Sequence, residues 1–253
     1  MLTVLHLAPH PDDELTAAPG TLLALRRAGH RVVNLACSLG RPDQHARRRA
    51  EAREACRRAG FELVVHEPPL AISDGDDHAA AQAALERTVA RLARDLGAAL
   101  VIAPSPHDRH HGHEVVGRAA VAALARNGAP RLWLWGLWAS LPLPTLYVPF
   151  GDDVLDEALH ALRAHAGELR RNDYVALVRA RAVAGRIQGA ESVFGFGAPA
   201  REGPYADVLT EAAFADGEWW AGAPRVLDPG APLAPVPRDR PIGAWLRYAR
   251  GLP

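Results

Sequence analysis

The sequence predicts a three-layer, Rossmann-like α/β fold, a parallel sheet with helices on both faces and strand order 3-2-1-4-5. Two observations carry the prediction. Short β-rich apolar runs alternate with Ala/Arg/Leu-rich segments, so the hydrophobic period switches repeatedly between 2 and 3.6. At 253 residues, with no internal repeat and no independent second core, the chain is long enough for one large domain.

In order, the spacing predicts a strand over Thr3 to Leu7, a helix over about Thr16 to Ala28, and a strand over Arg31 to Ala36. A helix over about Asp43 to Ala59 and a strand over Glu62 to Val65 follow. The alternation continues with a helix from about His78 to Leu96, a strand from Ala99 to Ala103, a helix from about His113 to Arg126, and a strand from Arg131 to Trp135. After Ser140 the pattern loosens. "LPLPTLYVPFGDD" interrupts it with prolines, two helices are predicted over about Val154 to Arg171 and Tyr174 to Gln188, and the Pro-rich "APRVLDPGAPLAPVPRDRP" is expected to wrap the surface. Residues 1–140 therefore form the predicted core, and residues 141–253 a C-terminal extension that completes the same domain and shapes its pocket.

Composition excludes several classes of function. Basic and acidic residues both number 29, so the formal charge is zero and no nucleic-acid or membrane-surface partner is indicated. Every Lys/Arg position is Arg, a composition bias that gives no single arginine a role. Cys37 and Cys56, on a strand end and a helix, read as buried small apolar side chains rather than a disulfide framework. The N-terminus enters a strand with no basic segment or long apolar region, and no run reaches the ~18 apolar residues of a membrane span. The expectation is a soluble cytoplasmic protein.

The chemistry concentrates at two strand ends. In an open α/β sheet ligands gather beyond the carboxyl ends of the strands, where the strand order reverses. "PHPDDE" follows strand one there; His10 and Asp13, three apart in a turn entering a helix, can converge on one cation, and Asp12 can face a metal-bound water. About a hundred residues later "VIAPSPHDRHHGHEVVGRAA" ends another strand with four histidines in seven residues. If strands one and four are neighbours, the two loops meet, and two His with one carboxylate leave the open position of a catalytic metal site.

Together, "APHPDDE" and "PHDRHHGHEVVGRA" resemble the LmbE/PIG-L family of zinc-dependent N-acetylglucosaminyl deacetylases, whose patterns are A-H-P-D-D-E and a later H-P-D-H-x-x-V-G. "SLG" at 38–40, Arg48 with Glu51, "SDG" at 73–75, "RAH" at 163–165 and "GAESVF" at 189–194 fall in the family's order. The resemblance implies His10, Asp13 and His113 as ligands of Zn2+, with Fe2+ or Co2+ also accepted by such a donor set. It implies Asp12 as general base toward metal-bound water and His110 as the group that polarises the amide carbonyl or stabilises the oxyanion. Arg48 and Asp74 match sugar-hydroxyl contacts. His165 matches an A-H-x-S-Q segment, here with Gly167 and Glu168, and both helix packing and pocket lining stay open for it. Glu14 is expected to brace the turn. His107 and His111 are expected to line the pocket or face solvent, Trp133 and Trp135 to sit in the core, and Trp138 to lie near substrate. The family's aspartate before the last histidine is Gly112 here, which leaves Asp108 or Glu114 to tune His110. The implied activity is removal of an N-acetyl or other N-acyl group from an amino sugar or glycoconjugate. A non-catalytic metal- or carbohydrate-binding protein on the same fold is the alternative.

Overall fold

The computed structural model describes residues 1–199, 201–233 and 238–247. In chain order its elements are β1 (Thr3–Ala8), α1 (Asp13–Thr16), α2 (Pro19–Arg27), β2 (Arg31–Ala36), α3 (His45–Ala59), β3 (Glu62–Val65), α4 (His78–Asp95), β4 (Leu100–Pro104), α5 (His111–Leu124) and β5 (Arg131–Trp135). Then come β6 (Leu146–Phe150), α6 (Asp152–Leu162), α7 (Ala166–Leu169), α8 (Tyr174–Phe194), β7 (Tyr205–Ala215), β8 (Glu218–Ala221), β9 (Arg225–Val226), β10 (Arg240–Pro241) and α9 (Gly243–Arg247).

The five parallel strands lie in the order β3-β2-β1-β4-β5, as the alternation predicts, with β1 between β2 and β4. Beyond β5 the sheet continues through β7, β8 and β10, all antiparallel to their neighbours. These strands were not legible in the sequence. "YADVLTEAAFA" carries polar residues at irregular intervals, and the first half of β7 leaves β5 to pair with β6 in a second sheet. Part of the Pro-rich segment expected to wrap the surface forms β9 and β10, and residues 234–237 of it lie outside the described residues.

Pleating sends successive residues of a strand to opposite faces. Val4, Val32, Ile102 and Trp133 therefore join a core under α2, α3, α6 and α8, whereas Leu5, Val33, Val101 and Leu132 join another under α4 and α5. Trp133 and Trp135 are fully buried, as expected. Both cysteines are buried and free.

Two predicted helices break, each for a local reason. The helix expected over 16–28 is two, because Pro19 cannot continue α1 but suits the first turn of α2. Ala18 gives α2 no side-chain cap. That acceptor arrives instead from β7, where Asp207 Oδ2 takes the Thr21 N–H at 2.7 Å and the Thr21 hydroxyl at 3.0 Å. The helix expected over 154–171 stops after Leu162 and resumes as α7, with His165 at the break.

α5 reaches the end of β1 because Gly117 lets it lie against the turn after β4. A Cβ there would come within 2.7 Å of the Pro104 carbonyl oxygen and the Pro106 nitrogen, both backbone atoms that cannot swing away. Gly117→Ala is expected to lower stability by about 1–3 kcal/mol, the range for overpacking; a wild-type melting curve would show that the turn yields. Burial raises the Asp207 carboxyl to about 6, from an ordinary 3.8, against the pull of its Thr21 hydrogen bonds. A carboxyl with a raised folded pKa holds its proton more firmly in the folded chain. Its contribution to stability is therefore complete below about pH 4 and is lost as the pH rises through 6, by at most about 3 kcal/mol. Asp207→Asn should remove that fall, so the difference in Tm between variant and wild type should grow in the variant's favour between pH 4 and 6.5.

Candidate metal centre

The site forms where two loops meet beyond adjacent parallel strands. The turn after β1 carries His10, Asp12 and Asp13, and the loop after β4 with the first turn of α5 carries His110, His111 and His113. Asp13 accepts the backbone N–H of His10 at 2.8 Å, which closes the turn and aims the carboxylate. One of its oxygens lies 3.3 Å from His10 Nδ1 and the other 3.5 Å from His113 Nε2. Two ligands of a tetrahedral zinc, each ~2.0–2.1 Å from the metal, stand roughly 3.3 Å apart. The separations around Asp13 thus fit shared coordination, and the donor set of imidazole nitrogen and carboxylate oxygen suits zinc. The ligand atoms of His10, His110 and His113 also lie within 4.8 Å of one another, so a fourth donor stands beside the set that the sequence implies.

The electrostatics favour a cation. Burial opposes charge on Asp13, but His113 and His10 outweigh it and hold its carboxyl well below the ordinary carboxylate range. Burial likewise opposes a proton on His113, yet Asp13 and Asp108 overcome it and lift the imidazole to about 9. The negative potential that raises affinity for a proton raises affinity for a metal. Burial, with His113 and His10 nearby, pushes His110 down to about 3, so this ring is neutral at physiological pH.

His113 is oriented from behind. Its Nδ1 pairs with Asp108 Oδ2 at 2.7 Å, and Asp108 Oδ1 accepts the N–H groups of Leu137, Trp138 and Ala139 at 2.7, 3.0 and 3.1 Å. Asp108, fully buried, is thus the partner of a predicted ligand rather than of His110. Glu114, the other expected partner of His110, accepts the Arg109 N–H instead. His110 Nδ1 is buried without a hydrogen-bond partner among the described residues. Gly112 has its own reason: a Cβ there would sit 2.9 Å from His10 Cε1 and 3.2 Å from Ile72 Cδ1. The histidine ring packs where the family's aspartate would begin.

Asp12 is 8% exposed and borders the same cavity, its carboxyl raised well above the ordinary range by burial and by the charges of Asp13 and Glu14. Its φ of 120° is a strained conformation for a non-glycine residue, costing on the order of 1–3 kcal/mol. Glu14 braces the turn as expected: its Oε2 accepts the Asp12 N–H at 3.0 Å, and its Oε1 pairs with His165 Nε2 at 2.7 Å. His165 is fully buried in that pair and does not border the cavity, so the pocket-lining reading of this residue is corrected to internal bracing.

The cavity above these groups has a volume of about 630 Å³. Arg48 and Asp74 both border it, in different settings. Arg48 is buried, donating to the Pro11 carbonyl at 3.4 Å and facing Glu168 at 3.4 Å, whereas Asp74 is a rim residue, its side chain 93% exposed and 3.0 Å from His111 Nδ1. His111 lines the cavity and His107 instead bonds the Trp245 carbonyl. Glu168, noted in the sequence beside His165, also lines the wall, as do Arg47 on α3, Arg171 in the turn between α7 and α8, and Tyr174 at the start of α8, three residues that no sequence motif marked. Asp108→Ala is expected to weaken zinc binding 10–100-fold, the usual effect of losing a ligand's orienting partner, as read by titration calorimetry; unchanged affinity would mean that His113 needs no such partner.

The PIG-L family model, described as GlcNAc-PI de-N-acetylase, matches residues 5–124. No curated protein matches. Among solved structures, the conserved protein TT1542 from Thermus thermophilus superposes with a TM-score of 0.62 at 23% identity, covering 92% of this chain and 100% of that one. The A40926 pseudoaglycone deacetylase Dbv21 gives 0.63 at 18%, covering 81% and 95%. The 4-carboxy-2-hydroxymuconate hydratase GalB from Pseudomonas putida KT2440 gives 0.63 at 18%, covering 83% and 96%. At these identities the superpositions establish a shared fold, one that carries both deacetylase and hydratase chemistry. Residues 5–124, which hold both the turn after β1 and the histidine-rich start of α5, are the part of the chain that matches the PIG-L family model.

Proposed function

We propose that this protein is a metal-dependent hydrolase that removes an N-acetyl, or other N-acyl, group from an amino sugar or small glycoconjugate. The observation that carries the reading is the placement of Asp13 between His10 and His113 with the Asp12 carboxyl on the same cavity, one carboxylate for a metal and one for a proton. His10, Asp13 and His113 would hold the metal, with zinc the best match and Fe2+ or Co2+ compatible. A cation there supplies Lewis acidity, polarising the acyl carbonyl and making water nucleophilic at neutral pH. Asp12 takes the proton from the attacking water and returns it to the departing nitrogen, so amide and water become amine and carboxylate. His110, neutral and on the same wall, stabilises the oxygen on which charge gathers. Arg48 and Asp74 are assigned to the sugar hydroxyls, which suit bidentate partners.

In this reading residues 1–140 supply the chemistry and residues 141–253 shape the pocket, a division supported by Glu168, Arg171 and Tyr174 on the cavity wall. No helix among the described residues is long and apolar enough to cross a membrane.

The test is amine release from a panel of N-acetylglucosaminides by protein stripped with chelator and then restored with zinc. Release that returns with the metal supports deacetylation; zinc binding without release from any member would favour a binding protein or a hydratase-type activity on this fold. Asp12→Ala is expected to keep its zinc and lose turnover by about 10²–10⁴-fold, and His113→Ala to lose both. Equal loss of metal in the two variants would reverse the assignment of base and ligand.

A further inference from the structure

A second cavity, of about 270 Å³, lies on the far side of the loop that follows β5 and shares Leu137 and Trp138 with the first. We propose that it is a subsite for an uncharged, ring-bearing aglycone, so that the substrate spans the Trp138 wall with its amino sugar over the metal centre and its second moiety beyond. The proposal rests on the deacetylase reading for what occupies the first cavity. Its volume is close to the lower end of the ~300–1,000 Å³ of small-molecule sites, enough for part of a ligand.

Three features point to this occupant. The first is the wall itself. Asp108 holds the N–H groups of Leu137, Trp138 and Ala139 from one side, and Arg181 donates to the carbonyls of Gly136 and Leu137 from the other. This fixes the loop as a partition between two spaces. The second is Trp138, whose side chain remains 46% exposed at the boundary of both cavities. An indole held there offers an apolar face to a sugar or aryl ring. The third is charge. The first cavity is bordered by Arg41, Arg47, Arg48 and Arg171 and by Asp12, Asp13, Asp74 and Glu168. Arg181 is the one ionisable side chain among the described residues lining the second, and its guanidinium already serves the wall's carbonyls.

The remaining lining is apolar or neutral: Leu141, Pro144 and Val208, with Gln188 and Ser192 as hydrogen-bonding groups. Such a surface favours a neutral aglycone over an anionic one, because Arg181 is committed to the wall's carbonyls and Gln188 and Ser192 are the neutral groups left to offset a carboxylate's loss of water.

The full-length protein, with and without zinc, would be titrated with N-acetylglucosamine, phenyl N-acetyl-β-glucosaminide, its 4-carboxyphenyl counterpart and N,N'-diacetylchitobiose. Binding would be followed by ligand-observed NMR and acetate release measured in parallel. The phenyl glycoside is expected to bind at least tenfold more tightly than the monosaccharide, and the carboxylate to abolish that gain. In Ala184→Trp and in Ser192→Phe, two independent ways of filling the cavity from an exposed position of α8, the ratio of the two affinities should fall to near one. A comparable gain with diacetylchitobiose would make a second sugar the occupant. A ratio near one in the wild-type protein, its persistence in both folded variants, or tighter binding of the carboxyphenyl ligand would overturn the proposal. Because binding is read separately from turnover, a preserved ratio without acetate release would remove the deacetylase reading and leave the subsite. Acetate release with a ratio of one would do the reverse.

Discussion

Asp108 ties together the parts of this molecule that matter for chemistry. One carboxylate oxygen holds His113 by its Nδ1, and the other gathers three consecutive backbone N–H groups of the loop after β5. A fully buried carboxylate is costly unless its lone pairs are occupied, and four hydrogen bonds occupy them here. The candidate metal centre and the Trp138 wall are therefore set by the same group, and a shift of one moves the other.

The turn after β1 follows a similar logic on a smaller scale. Asp12 sits in a strained backbone conformation that an isolated peptide would leave. Glu14 holds its N–H, and His165, from a segment about 150 residues away, holds Glu14. Asp13 returns to the His10 N–H, so the two neighbouring carboxylates face different tasks: one is committed to the two imidazoles and the other stays available on the cavity. Adjacent acidic residues acquire opposite proton affinities because their surroundings differ.

Gly112 illustrates how a departure from a family pattern is read once the packing is known. By sequence it is a missing aspartate, and it invites the idea of a weakened His110. In the structure the position lies against the His10 ring, the orienting carboxylate for the last histidine is Asp108, and His110 stands without a carboxylate partner.

By itself the sequence determined the parallel core and the location of the site. Both depend on short-range information: the alternation of hydrophobic periods fixes the βα units, and the polar clusters at the ends of strands one and four mark where a parallel sheet gathers ligands. It also singled out His10, Asp13, His110 and His113, which the fold brings to one cavity, since their type and spacing are local. Tertiary structure alone decided the rest, because the deciding partner is distant in the chain. Antiparallel β7 and β8 extend the sheet through pairing with β5, although their own periodicity is weak. Asp207 caps α2 from 186 residues away, His165 turns inward to Glu14, and Asp108 chooses His113 over His110. Each is a choice among buried polar partners, made when packing removes water and every lone pair must find a donor.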